Sequence, residues 1–173
     1  MNGSGVRDIC RVLHISINTV LKTIKEQAAE VPKPKLPERL TDLEVDEMWA
    51  YVGKKANERW LWYGFDAKSK QVVSWLSAPH TKASCRQLLK SVSKIQILRY
   101  LTDRLKWYGQ LIESEHHWVG KEWTQGIERN NLNFRTHLKR FQRRTICFSK
   151  SEVMHEAVLK LYVHHLNSQQ HKL

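Results

Sequence analysis

The sequence has no run of about 18 apolar residues, which excludes an ordinary membrane-spanning helix. Its opening residues lack the apolar core of a secretory signal. Cysteine is scarce: Cys10, Cys85 and Cys147 are odd in number, far apart and without a C-x-x-C pair. That excludes a disulfide scaffold, and no zinc-ligand spacing arises from them together with the nine histidines. All three read as small, buried or half-buried free thiols of a reducing cytoplasm. Acidic residues are in deficit, with 17 Asp and Glu against 29 Lys and Arg, a formal net charge of +12 and a pI near 9.8. Such an excess attracts nucleic acid by releasing its condensed counterions. A merely soluble basic surface is the plainer alternative.

Seven Trp, five Tyr and four Phe among 41% apolar residues supply one sizeable core, with room for a small appendage. Residues 1–30 read as that appendage. Val6, Ile9, Val12 and Leu13, then Ile17, Val20, Leu21 and Ile24, recur at helical spacing on either side of a break at His14 and Ile15. Ser16 suits an N-cap. Two short helices joined tightly match a helix-turn-helix whose second helix enters the major groove, exposing Asn18, Thr19, Lys22, Thr23 and Lys25 to DNA. An ordinary helical hairpin packed on the larger domain is the alternative.

Three of the four prolines fall in Val31-Pro-Lys-Pro-Lys-Leu-Pro37, so 31–42 reads as a Pro/Lys linker. From there to residue 168 a mixed α/β domain is expected, with 169–173 as a tail. Strands are predicted over 43–52, 59–65 and 71–77 as an antiparallel meander, a helix over 81–92 capped by Thr81, and a buried strand over 95–101. Ile127, Phe134, Leu138 and Phe141 keep one face of a helix beginning near Thr124. A last helix over 149–165 starts at Ser149 or Ser151 and turns Val153, Ala157, Val158 and Leu161 inward.

Three acids stand out. Asp46 interrupts a strand-like, aromatic-rich segment where acids are poor strand formers. Asp103 ends the apolar run Ile97-Leu-Arg-Tyr-Leu-Thr-Asp103, and strand ends are where α/β sheets carry catalytic groups. Glu128 opens the long helix near Asn131 and Arg135. Carboxylates converging from a strand, a strand end and a helix repel one another unless cations join them, and magnesium, which prefers oxygen ligands, fits. Glu44, Glu47 and Asp66 are nearby competitors; alternation puts Glu44 and Asp46 on one strand face and Glu47 on the other.

Val45-Asp-Glu-Met-Trp-Ala-Tyr-Val-Gly53, Arg59-Trp-Leu-Trp-Tyr-Gly-Phe-Asp66, Leu101-Thr-Asp103, Thr124-Gln-Gly-Ile-Glu-Arg-Asn-Asn-Leu-Asn-Phe-Arg135 and Phe148-Ser-Lys-Ser151 together resemble the transposases of the insertion-sequence-one family. The resemblance implies a ribonuclease-H-like fold, a mixed sheet flanked by helices, preceded by the helix-turn-helix. It also implies an Asp-Asp-Glu triad of Asp46, Asp103 and Glu128, using Mg2+ or, as a substitute, Mn2+, to cut and join DNA. Asn131 and Arg135 would support the site or contact DNA. The expected partners are double-stranded DNA, as terminal inverted repeats and target, and further copies of the chain in a synaptic complex. The expected location is the cytoplasm, on the nucleoid of a prokaryote.

Two departures bear on activity. The family shows Thr-Asp-Gly where this chain has Thr102-Asp-Arg104, and no cysteine-rich zinc module precedes the helix-turn-helix. Both suggest a truncated copy whose activity is in question. The competing function is a non-catalytic, sequence-specific DNA-binding regulator of the element.

Overall fold

The computed structural model of the protein describes residues 4–32, 34–142 and 144–169. Helices α1 (Val6–Leu13) and α2 (Ile17–Glu30) lead into β1 (Arg39–Met48), β2 (Trp60–Asp66), β3 (Gln71–Ala78), α3 (Lys82–Ser91), β4 (Gln96–Thr102), a one-turn α4 (Tyr108–Leu111), β5 (His117–Val119), α5 (Gln125–His137) and α6 (Glu152–Gln169). The sheet order is β3-β2-β1-β4-β5. The three meander strands pair antiparallel, and β4 and β5 join parallel to β1. This is the ribonuclease-H-like arrangement.

Alternation along the strands builds two cores. Leu61, Tyr63 and Phe65 of β2 pack with Ile127 and Phe134 of α5 and with Val158, Leu159 and Tyr162 of α6. Trp62, with Leu43 and Val45 of β1, packs the opposite way against Cys85 and Leu88 of α3 and against Tyr108. Gly64 leaves room for Leu43, whose side chain would lie 3.2 Å from an added Cβ. The side of β1 that faces α5 carries Glu44 and Asp46 before Met48, so two acids occupy positions that the pattern reserves for apolar residues.

Several sequence expectations need correction. The first strand begins at Arg39, four residues before the expected start at 43, because Arg39↔Gln96 and Leu40↔Ile97 extend the parallel ladder. The end of the 31–42 stretch is therefore sheet, and the strand stops at Met48, short of 52. β5 was not anticipated; three residues are too few to show a period. α5 ends at His137, and Phe141 reaches the core from a separate 3-10 turn over Lys139–Phe141. On α6 Val153 is 62% exposed and Leu161 only half-buried; His155, Leu159, Tyr162 and Val163 face inward with Ala157 and Val158. Ser151 lies against the start of α6 with Met154 N 3.4 Å from its Oγ, whereas Ser149 is buried against His155. Cys85 is buried and Cys10 half-buried as expected, but Cys147 is exposed.

The caps at Ser16 and Thr81 accept from Thr19 N and Ser84 N as expected. His14, at φ 54°, makes the left-handed turn between α1 and α2. α2 rests on α6, burying Val20 and Ala28 and sending Ile24 against the first core. The helical pair is thus both a helix-turn-helix in shape and a hairpin packed on the larger domain.

Candidate active site

The carboxylates gather where β1 and β4 end. Asp46 lies near the end of the central strand, and Asp103 follows the last residue of its parallel neighbour, so the ladder that pairs Val45 with Thr102 sets the two side by side. One carboxylate oxygen from each of Asp46, Glu47 and Asp103 lies within 4.8 Å of the others. All three are half-buried.

Each acid is held from outside. Asp46 accepts from Asn131 Nδ2 of α5 at 2.6 Å and from the backbone N–H of Glu47 at 2.8 Å. Asn131 is itself fixed by Tyr63, whose hydroxyl donates to its amide oxygen at 2.7 Å. Glu47 accepts from the Tyr108 hydroxyl at 2.8 Å and lies 3.3 Å from His80 Nε2. Asp103 accepts from Leu105 N at 2.9 Å. Glu44 stands apart: its carboxylate accepts the backbone N–H of Ile127 and so pins the first turn of α5, where negative charge suits the helix dipole. An added Cβ on Gly126 would lie 2.6 Å from Glu44 Oε1, so glycine lets the helix seat there.

The electrostatics are costly. Burial, with the Glu47 charge adding to it, pushes the Asp46 carboxyl up to about 7. Burial first, and the Asp103 charge after the opposing Tyr108 hydrogen bond, leaves Glu47 at about 7 as well. Burial likewise raises Glu44 and lowers His80. Three oxygen donors in mutual repulsion form the donor set that a hard divalent cation satisfies, so these residues fit such an ion.

The structure brings Asp46 and Asp103 together but leaves Glu128 outside the group. Glu128 is exposed on the first turn of α5, three residues before the Asn131 that touches Asp46. Glu47 stays on the opposite face, as alternation has it, held by Tyr108 and near His80, and still comes within 4.8 Å of Asp46 and Asp103 where the strands end. Asn131 is buried, its amide nitrogen donating to Asp46 and its amide oxygen accepting from Tyr63. Arg135 is half-buried beside Glu47. Arg104 is exposed and forms no ion pair among the described residues. Asn18, Thr19, Lys22, Thr23 and Lys25 are all exposed on α2, with Thr19 tied to the Ser16 cap and Lys22 placed 3.7 Å from Glu26.

The sequence model of the IS1 transposase family matches residues 40–170, and that of the InsA C-terminal domain matches residues 1–28. The chain belongs to the IS1 transposase family. The insertion element iso-IS1n protein InsB of Shigella dysenteriae is 41% identical over 120 residues, covering 69% of this chain and 92% of that protein. Insertion element IS1 1 protein InsB of Escherichia coli (strain K12) is 38% identical over 120 residues, covering 69% of this chain and 72% of its own. Among solved structures, the HTLV-2 integrase catalytic core domain in complex with magnesium covers 75% of this chain and 97% of its own at 18% identity and a TM-score of 0.40. The sheet order, not that loose likeness, fixes the fold.

This IS1-family chain is therefore a DDE transposase, a DNA-binding polynucleotidyl transferase that uses a divalent metal. No described helix is long and apolar enough to cross a membrane.

Proposed function

We propose that the chain cleaves the ends of an insertion element and joins them to target DNA, with Asp46, Asp103 and Glu128 as its catalytic, metal-holding triad. The observation that carries the reading is the meeting of Asp46 and Asp103 at the ends of two parallel strands, with α5 fastened to the first of them through Asn131. Glu128 precedes Asn131 by three residues, about 60° short of a full helical turn, so a modest shift of the first turn of α5 carries it toward the pair. Glu44 holds that turn in its present seat.

Magnesium, with manganese as a substitute, is the cation that the all-oxygen donor set favours. When bound, such ions activate the attacking water or 3′-hydroxyl and stabilise the leaving oxygen at phosphorus. The chain's own residues position the donors: Asn131 orients Asp46, and Tyr108 with His80 holds Glu47. Residues 1–30 serve as a helix-turn-helix that reads the terminal inverted repeats through Asn18, Thr19, Lys22, Thr23 and Lys25. The stretch from residue 31 links it to a catalytic domain that begins with β1 at Arg39 and runs to 168, and Arg135 contributes to the DNA path. Copies of the chain assemble on paired ends in the cytoplasm.

The test is nicking and strand transfer on DNA carrying the element's own ends, with Mg2+ or Mn2+, beside an Asp103→Asn control. The expected result is cutting and joining by the native chain and a loss of about a thousandfold or more in the control, with binding retained. Binding without cutting by the native chain would sink the reading and leave a DNA-binding regulator.

A further inference from the structure

Next to the carboxylate group the surface opens into a cavity of about 220 Å³, lined by Glu47, Met48, Trp49, Trp60, Arg135 and Phe141. One water needs only about 10–15 Å³, so the space admits a planar ring system. Two walls are indoles. Trp49 follows β1 and Trp60 opens β2, next to the paired residues Met48 and Leu61. Both indole N–H groups donate to one exposed carboxylate, Glu58, at 3.3 and 3.1 Å. Each ring is also backed by another: Trp60 stacks on His80 at 4.1 Å, and Trp49 lies 5.2 Å from Tyr51, which stacks on Phe148. The two tryptophans are thus held in place yet only half-buried. Half-buried Arg135, on the same cavity, makes no hydrogen bond or ion pair among the described residues.

We propose that this cavity takes a single unpaired nucleobase of the DNA strand being processed, stacked against Trp49 and Trp60 with its phosphate at Arg135. The inference rests on the strand-joining reading, because Glu47 belongs both to the cavity and to the acidic group, which puts the occupant beside the reacting phosphate. Stacking on aromatic faces is sequence-tolerant and returns part of what extrusion from the duplex costs. Rigid walls suit that role, since little entropy remains to be lost when the base enters. A net charge of +12 brings the polyanion to the surface, and the Arg135 guanidinium, in no ion pair among the described residues, supplies a local phosphate partner.

The experiment compares two duplexes in binding titrations with the full chain, without divalent cation so that no strand is cut. One carries a single unpaired 2-aminopurine and the other is fully paired. The expected result is about tenfold tighter binding of the unpaired probe, with its fluorescence quenched on binding. Trp49→Ala and Trp60→Ala should each remove the preference, and Trp49→Phe, which keeps a stacking ring, should retain most of it. The native-chain fluorescence reports on the proposal even if an alanine variant does not fold. Equal affinity of the native chain for both duplexes, an unquenched probe, or a preference that survives both alanine variants overturns the cavity assignment and leaves strand joining standing. Failure to bind either duplex overturns both.

Discussion

The end of the sheet and the N-terminal helical pair are built on opposite plans. At the sheet end Asp46, Glu47 and Asp103 each have a donor, and one donor is itself held, as Tyr63 holds Asn131 and Asn131 holds Asp46. In α1 no residue is buried, and Val12 and Leu13 stand 70% and 60% exposed. A site that must place oxygens to a fraction of an ångström needs supports that are themselves fixed. A helix that docks into a groove needs its polar face free, and α2 achieves this by burying only the Val20, Ile24 and Ala28 side against the larger domain.

The largest effect that would sharpen this contrast is on stability. Phe134 is fully buried and packs against Tyr63, Phe141 and Tyr162. Phe134→Ala should cost about 3–5 kcal/mol in chemical unfolding. Val12→Ala should stay within about 0.5 kcal/mol. Similar losses in the two variants would mean that α1 is as tightly packed as the sheet, and the contrast would fail.

The same contrast explains what the sequence made legible. β2, β3, α3 and β4 fall within a residue or two of expectation, because period-2 and period-3.6 patterns over seven or more residues record burial directly. β1 was misplaced at both ends: its start is decided by pairing with β4, which lies more than fifty residues away, and local Pro/Lys composition hides it. Asp46 and Asp103 were readable as acids out of place. Glu47 was not, since alternation sets it on the other face and does not show that Asp103, beyond the end of β4, brings both faces into one group. The resemblance alone pointed to Asn131 as a support; Tyr63 and Tyr108 were beyond local pattern, because their bonds join residues more than sixty positions apart. On α6 Ala157 and Val158 face inward as expected but Val153 and Leu161 do not, since the core there also takes the polar ring of His155, bonded to Ser149.

A second contrast is in pH. Asp46 and Glu47 stand at about 7 in the fold against ordinary values of 3.8 and 4.5. An acid whose value is raised by folding stabilises the native state while protonated, so stability is fullest below about pH 4 and falls as pH rises toward 7. One such group amounts to roughly 3–4 kcal/mol. His155, held down to about 4 by burial, works the other way over the same range, so the measure is the difference: thermal unfolding of the metal-free native chain should lose stability relative to Asp46→Asn as pH rises from about 4 to 7, and Mg2+ at neutral pH should restore much of that loss. The same pH profile in the native chain and in Asp46→Asn would mean that these acids are not the strained element.

A smaller effect tests whether Asn131 supports the site or touches DNA. Asn131→Ala should lower the rate of strand transfer about 10- to 100-fold, as losing a group that orients a metal ligand does. The affinity for end DNA should remain unchanged. An equal fall in affinity would return Asn131 to the DNA interface and blur the line between the two regions.

The mildest change belongs to the helical pair. Lys22 and Lys25 are exposed on the outer face of α2, and Lys22 has only the 3.7 Å approach of exposed Glu26 to compete with a phosphate. Each phosphate contact contributes about 0.9 to the slope of log affinity against log salt. Lys22→Ala with Lys25→Ala should therefore lower that slope by about 2, weaken binding most at low salt, and leave strand transfer on saturating DNA intact. The chemistry survives because these lysines support none of the carboxylates at the end of the sheet. A slope that does not move would place the DNA on another face of the chain, and the exposed side of α2 would need a different explanation.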